Sequence, residues 1–342
     1  MTSDQNDSRR GHRVTLHDVA SVAGVSKSTV SRVLDERLPW SDSETARKVR
    51  RVAQDLGYIR DVAAASLRRG QSMTIGVIVP RLTDTVMAML YEALARSSAR
   101  VGRFAMVATT EDDPGQVRIA AESLLRRGVD GLVLATAREG DDFPDELKDR
   151  GVPFVLALRT DGSNPSSVGD DQLGGYLATR HLLDLGHRRI GLIAGPDYAS
   201  SARLRKAGYL QAMEEAGIPP DPTLIVQSTF GIESGAIAAK TLLEQPDRPT
   251  AVFAMNDNTA IGAMTAMLRL GLSVPEDVSL VGYNDIPLVR LLPTPLTTVR
   301  VPFDQIAFEA IDLLCGTVPR KESDVRKATP TVIPRQSTIR RP

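Results

Sequence analysis

Residues 15–34 read TLHDVASVAGVSKSTVSRVL and contain two short helical patterns joined by Gly24. In the first pattern the apolar residues recur with helical spacing, at Leu16, Val19, Ala20 and Ala23. Thr15 can cap this helix, with Asp18 three residues later, and Ser26 can cap the second helix. Glycine adopts a left-handed backbone easily at the turn between them. The stretch therefore predicts a helix-turn-helix, whose second helix fits the major groove of DNA.

A third helix is predicted after residue 41. Ser41 and Glu44 have the spacing of a capping box, and apolar residues with helical spacing continue towards Gly57. The outer surface of this helix is basic and carries Arg47, Lys48, Arg50 and Arg51. A solvated basic face on a small helical bundle is the alternative interpretation. We favour DNA binding because side chains able to contact bases also lie on the outer face of the second helix.

Several segments of this region resemble the headpiece of the lactose/galactose repressor (LacI-type) family of bacterial transcription regulators. They are TLHDVA at 15–20, AGVS at 23–26, TVSRVL at 29–34 and LGY at 56–58. The resemblance implies that Lys27, Ser28 and Arg32 read base edges, and Lys or Arg against guanine is the commonest such contact. The other side chains expected at the DNA are Ser26, Thr29 and Ser31, chiefly at phosphates, and Thr15.

Residues 60–72 lie between a headpiece of residues 1–59 and a body of residues 73–342. In the family that the headpiece resembles, this position is a hinge that becomes helical when two subunits meet on DNA. The resemblance makes Leu67 the apolar wedge in the minor groove and Arg68 the adjacent basic contact. Ala65 departs from the family pattern, because many members carry Arg there. A plain linker is the alternative interpretation.

The body alternates short apolar runs with helical stretches, which predicts doubly wound parallel sheets. Seven strands are expected, at 74–79, 104–109, 131–135, 153–157, 189–194, 250–254 and 278–282. About 270 residues exceed one such sheet, so we expect two α/β lobes. The first comprises about 73–170 with 302–320, and the second about 171–301 with 321–342. The body also resembles periplasmic sugar-binding proteins, whose ligand lies between two lobes.

The resemblance also implies a small effector, most often a sugar, in a cleft between the lobes. Arg205 matches a residue that grips ligand hydroxyls or a carboxylate, and Phe230 matches an aromatic residue that stacks on a ring face. Asp257 is expected to point into the cleft from a strand end, and Asp170 and Asp171 to line the crossover between lobes. Asn284 stands where the family usually has Asp, and it still suits a hydroxylated ligand. The structural alternatives are a helix cap for Asp257 and a core position for Phe230.

The expected function is therefore that of a sequence-specific transcriptional regulator, most simply a repressor, whose DNA affinity responds to the effector. Two headpieces in a homodimer predict a palindromic operator. A tetramer is not expected, because no heptad pattern follows the final strand predicted near 332–339. A metabolite sensor that acts through a protein partner is one alternative. A sugar- or nucleoside-processing enzyme with an accessory headpiece is the other.

Composition restricts these choices further. The chain has 342 residues and no net charge, but residues 1–70 hold 13 basic and 9 acidic residues, a weak sign of a DNA-binding end. The single cysteine, Cys315, excludes an intrachain disulfide and any multi-cysteine metal site. Common nucleotide-binding, zinc-protease and serine-hydrolase motifs are missing, so we expect neither an enzyme nor a cofactor. No secretory signal or membrane-spanning run is seen, and a cytoplasmic protein without membrane contacts is expected.

Overall fold

The computed structural model describes residues 14–35, 39–58, 72–316 and 324–341. The chain divides into two compact units between residues 72 and 73. The first unit contains helices and the second contains two α/β lobes. The expected fold class is thereby confirmed.

Three helices of the first unit pack around a small apolar core. They are α1 (Leu16–Ala23), α2 (Lys27–Val33) and α3 (Glu44–Asp55). Thr15 forms the expected capping box with Asp18, and Gly24 ends α1 with a φ of 68°. The predicted start of the third helix is wrong by two residues, because the Ser43 hydroxyl accepts the Ala46 amide hydrogen bond at 3.2 Å. The cap oxygen must reach the amide three residues later, and Ser43 is the residue in position to do so.

The second unit contains twelve strands among its described residues. They are β1 (Thr74–Val79), β2 (Phe104–Thr109), β3 (Gly131–Leu134), β4 (Phe154–Ala157), β5 (Ser166–Gly169), β6 (Ile190–Ala194), β7 (Ile225–Gln227), β8 (Ala251–Ala254), β9 (Ser279–Asn284), β10 (Thr297–Arg300), β11 (Val325–Ala328) and β12 (Thr331–Ile333). The first lobe has the parallel strand order β11-β5-β4-β3-β1-β2. The second lobe has the order β12-β10-β9-β8-β6-β7, in which β12 alone is antiparallel.

Helices cover these sheets, as right-handed crossovers between parallel strands require. They are α4 (Thr85–Arg100), α5 (Pro114–Arg126), α6 (Phe143–Asp149), α7 (Asp171–Asp184), α8 (Ser200–Glu215), α9 (Ile232–Leu243), α10 (Asp257–Arg269) and α11 (Phe303–Cys315). Helix α11 packs on α4 and on the first sheet, as expected for residues after 302. Among the described residues, no helix is both long and apolar enough to cross a membrane.

The expected assignment of 321–342 to the second lobe is wrong for β11. This strand pairs in parallel with β5 at the edge of the first sheet, and only β12 joins the second sheet. Arg326 of β11 also forms an ion pair at 2.7 Å with Asp312 of α11, which belongs to the first lobe. The chain therefore crosses between the lobes three times, after β5, after β10 and after β11.

Glycines allow helices α7 and α8 to pack with their backbones nearly in contact. A Cβ atom on Gly208 would lie 2.0 Å from the Gln172 carbonyl oxygen, and one on Gly175 would lie 2.1 Å from the Arg205 carbonyl oxygen. Real Cβ atoms do not approach backbone oxygen so closely. These glycines bring the start of α7 against α8, where both helices meet the cleft.

Candidate DNA interface and ligand cleft

The outer face of α2 presents the side chains that were predicted to read bases. Lys27, Ser28 and Arg32 are exposed, whereas Thr29 and Ser31 are half-buried. Among the described residues, no ion pair or hydrogen bond engages the Lys27 or Arg32 side chain. The two cations are thus free to meet bases or phosphates, and the five DNA contacts stay a prediction.

Two of the predicted DNA-contacting hydroxyls also hold helix ends. The Thr15 hydroxyl lies 2.8 Å from the Asp18 carboxylate at the start of α1. The Ser26 hydroxyl accepts a 3.2 Å hydrogen bond from the Thr29 amide and lies 2.7 Å from the Ser28 hydroxyl. Capping therefore fixes these oxygens at exposed helix starts. The predicted hinge contacts, Leu67 and Arg68, and the departure at Ala65 lie outside the described residues.

Trp40 and Arg50 form a stacked pair in the first unit. The Arg50 guanidinium carbon lies 3.5 Å from the centre of the Trp40 ring, and Nη2 donates to the Ser41 carbonyl at 2.8 Å. Arg50 is therefore half-buried and engaged, unlike the exposed Arg47 and Lys48 of the same helix. Trp40 is the only tryptophan of the chain, so its fluorescence reports on this unit alone.

Arg205 and Asp171 form a buried ion pair in the second lobe. Nε of Arg205 donates to Oδ1 of Asp171 at 2.8 Å, and Nη1 donates to the Met255 carbonyl at 2.8 Å. The guanidinium carbon also lies 3.7 Å from the centre of the Tyr283 ring. Burial opposes the charge on Arg205, but the Asp171 carboxylate raises the pKa of Arg205 above its usual value. The pair joins α7, α8 and the carboxyl end of β8, so it supports the cleft as well as bordering it.

Asp257 differs from the expectation that it points into the cleft. Its side chain is fully buried, Oδ1 accepts from the Thr298 hydroxyl at 2.6 Å and Oδ2 accepts from the Ile286 amide at 2.8 Å. Burial raises the pKa of the Asp257 carboxyl to about 7. The alternative that Asp257 caps α10 is also wrong, because Asn256 is the cap residue and accepts from the Thr259 amide at 2.8 Å. Both Asp257 oxygens therefore accept hydrogen bonds from the protein itself, one from strand β10 and one from the loop after β9.

The other predicted effector residues lie at separate places around the cleft. Asn284 ends β9, is 4% exposed and has a φ of 107°. Phe230 follows β7, is half-buried and lies 5.4 Å from the guanidinium of Arg159. Asp170 caps α7 at the crossover from the first lobe, and Lys327 Nζ lies 3.8 Å from its Oδ1. Their part in ligand binding stays a prediction.

Sequence reasoning missed six polar residues that the structure brings together in the cleft. They are Asp84, Asp112, Arg138, Arg159, Tyr198 and Asn258. Each follows a strand within a few residues of its carboxyl end. Ligands of parallel sheets bind beyond those ends, so the loop positions were the signal that could have identified them.

The two buried arginines of the cleft are both paired with carboxylates, Arg159 with Asp112 and Arg205 with Asp171. Arg138 is half-buried and lies against the Tyr198 ring. Burial raises the pKa of Asp84, which accepts a hydrogen bond at 3.2 Å from Asn258 across the cleft. Among the described residues, no group of three or more His, Cys, Asp or Glu side chains could hold a metal ion. A cleft whose buried arginines are already paired suits a neutral molecule with many hydroxyls better than an ion.

Comparisons with known proteins cover both units. Residues 15–61 match the family described as bacterial regulatory proteins, lacI family, and residues 179–338 match the periplasmic binding protein-like domain. The chain is 34% identical to the HTH-type transcriptional repressor PurR of Haemophilus influenzae, over 94% of this chain and 98% of that protein. It is 36% identical to the ribose operon repressor of Escherichia coli, over 94% and 99%. A solved structure of the lac repressor dimer bound to operator and the anti-inducer ONPF is 29% identical, with a TM-score of 0.85 over 96% of this chain and all of that one.

Proposed function

The chain belongs to the lacI family of bacterial regulatory proteins and is a DNA-binding transcriptional regulator, and we propose that it is a repressor controlled by a neutral, polyhydroxylated effector. The observation that carries the effector class is the pairing of the two buried arginines of the cleft, Arg159 with Asp112 and Arg205 with Asp171. An anionic or cationic ligand would leave one charge unpaired, and unpaired buried charges are costly. A sugar such as ribose supplies hydroxyl donors and acceptors without adding charge.

We also propose that the protein acts as a homodimer on a palindromic operator. Lys27, Ser28 and Arg32 lie on one short helix, which covers only a few base pairs in one groove. Two copies related by a two-fold axis would read two half-sites and supply the specificity that one helix lacks. DNA sites selected from random sequence by the full chain should contain an inverted repeat. Selected sites without such a repeat would contradict the dimeric mode.

The effector class is tested by thermal unfolding of the full chain with ribose, other sugars, sugar phosphates and nucleosides. A ligand at 100 times its dissociation constant should add about 2.7 kcal/mol to the stability of the body. Titration of operator DNA, followed by Trp40 fluorescence, then gives the direction of the response with and without that ligand. Stabilisation by sugar phosphates alone, with none by neutral sugars, would contradict a neutral effector.

The curated relatives named above are transcriptional repressors, and we propose that the cleft binds its ligand without converting it. A ligand that is recovered unchanged after prolonged incubation with the protein supports this. Time-dependent conversion of the ligand, lost in the Asp170→Asn variant, would support the enzymatic alternative. Because the proposed target is DNA, the site of action is the bacterial cytoplasm.

A further inference from the structure

An ion pair of the first lobe lies against residues of the second lobe in the cleft. Arg159 and Asp112 form two parallel hydrogen bonds, at 2.9 Å between Nη1 and Oδ1 and at 3.0 Å between Nη2 and Oδ2. Arg159 is only 3% exposed. This two-pronged geometry is the strongest that arginine forms with a carboxylate. The pair is therefore a fixed feature of the cleft.

The second lobe is attached to this pair through Tyr198. The Tyr198 hydroxyl donates to Oδ2 of Asp112 at 2.8 Å, across the boundary between the lobes. The guanidinium carbon of Arg138, also from the first lobe, lies 3.6 Å from the centre of the Tyr198 ring. Cations attract aromatic faces at this distance. Tyr198 is thus held by the first lobe at both its hydroxyl and its ring.

The backbone at these positions is strained. Asp112 has a φ of 64°, and Leu158, directly before Arg159, has a φ of 62°. A left-handed conformation is unfavourable for residues other than glycine and persists where surrounding contacts impose it. Two such residues therefore lie within or directly beside the Arg159–Asp112 pair.

The same side chains lie where a flat ligand would be expected. The Arg159 guanidinium is a planar group, and its carbon lies 5.4 Å from the Phe230 ring and 5.7 Å from the Tyr198 ring. Phe230 is the aromatic residue that was predicted from the sequence to stack on a ring of the ligand. The guanidinium therefore lies beside Phe230, and a ring stacked on Phe230 would compete with it for that space.

We propose that Asp112, Arg159 and Tyr198 form a latch that holds the two lobes closed without a ligand, and that an effector binds only after Tyr198 has left Asp112. The closure itself does not depend on the proposed function, whereas the competition with an effector does. A hydrogen bond to a carboxylate changes an equilibrium by about tenfold or more. The apparent affinity for the effector falls in proportion to the fraction of protein that is open.

The latch is tested by measuring the distance between the lobes without ligand. Spin labels at Gln116→Cys on α5 and Glu233→Cys on α9, in a Cys315→Ser background, place one label at an exposed site on each lobe. Pulsed dipolar spectroscopy then gives the distribution of distances between them. Removing the Tyr198 hydroxyl with Tyr198→Phe should raise the ratio of open to closed protein by about tenfold and add longer distances.

A matched control is Tyr176→Phe, which removes a hydroxyl that donates to Glu215 at 2.8 Å within the second lobe. It should leave the distances unchanged. Arg138→Gln, which removes the cation from the Tyr198 ring, should open the lobes to a smaller extent than Tyr198→Phe. If Tyr198→Phe gives the same distances as Tyr176→Phe, the latch is refuted.

Binding of ribose, followed by calorimetry, separates the latch from the proposed function. If ribose binds, Tyr198→Phe should tighten binding by up to about tenfold, and weaker binding would show that Tyr198 contacts the ligand and would overturn the competition. If neither ribose nor any other neutral sugar binds, the proposed effector class fails. The ligand-free distances still decide for or against the latch in that case.

Discussion

Replacing Arg205 by alanine is expected to destabilise the body of the protein by about 3–5 kcal/mol, because the Asp171 carboxylate is then left buried without its partner. The structure supports the upper part of that range. Arg205 is 7% exposed and Asp171 is 3% exposed, and the Met255 carbonyl also loses its donor. Asp171→Ala should have a comparable effect, since it leaves the guanidinium of Arg205 uncompensated.

Thermal unfolding of the full chain, followed by far-ultraviolet circular dichroism, measures this loss. For a body of this size a shift of roughly 2 °C accompanies each kcal/mol, so each single substitution should lower the melting temperature by about 6–10 °C. Trp40 fluorescence follows the first unit in the same samples. Arg180→Ala serves as a control, because the ion pair of Arg180 with Asp184 is exposed and contributes less than about 0.5 kcal/mol.

The double substitution of Arg205 and Asp171 by alanine completes the argument. It removes both charges, so its effect should be smaller than the sum of the single effects by about 2–3 kcal/mol. A coupling energy below about 0.5 kcal/mol would refute the view that the two side chains stabilise each other. Loss of the effector response in a variant that still melts normally would instead assign Arg205 to the ligand alone.

Three further substitutions test other parts of the structure. Asp257 has a folded pKa of about 7 against an ordinary value of 3.8, so the native state binds the extra proton. The stability that this protonated carboxyl contributes is complete below about pH 4 and is lost as the pH rises through 7. The Asp257→Asn variant should therefore gain stability relative to the natural chain between about pH 4 and 8. A difference in melting temperature that stays constant over this range would contradict the raised pKa. Arg32→Ala should relax the base preference at one position of a selected operator by about 1–3 kcal/mol, whereas Arg51→Ala should only reduce the salt dependence of binding. If Arg32→Ala weakens binding to all DNA sequences equally, Arg32 does not read a base. Gly208→Ala should destabilise the body by about 3 kcal/mol in urea unfolding, since its Cβ would lie 2.0 Å from a backbone oxygen. Gly115→Ala in α5 should be nearly neutral and serves as the control. Equal urea midpoints for the two variants would contradict the close contact between α7 and α8.

The features predicted correctly from the sequence depend on interactions between near neighbours in the chain. The helix-turn-helix follows from caps and apolar residues three or four positions apart, and the Thr15 capping box is present as expected. Strand β1 was predicted with its observed bounds, and the lobes follow from the alternation of strands and helices. The short strands β5, β7, β10 and β11 were missed, because three or four residues carry too little of a pattern to be recognised.

The arrangement of the cleft was decided only by tertiary structure. Tyr198 lies 86 positions from Asp112, and Arg159 lies 47 positions from it, so no local pattern connects them. Residues 325–328 joined the first lobe because the open edge of β5 could pair with them, a partner that is distant in sequence. The Asp257 carboxylate does not face the cleft, because both of its oxygens accept hydrogen bonds from residues 286 and 298. The sequence specifies which side chains are able to form hydrogen bonds and ion pairs, but the tertiary structure selects the partners that they find. The physical reason is that a polar group removed from water must bond to a partner that the fold brings within reach.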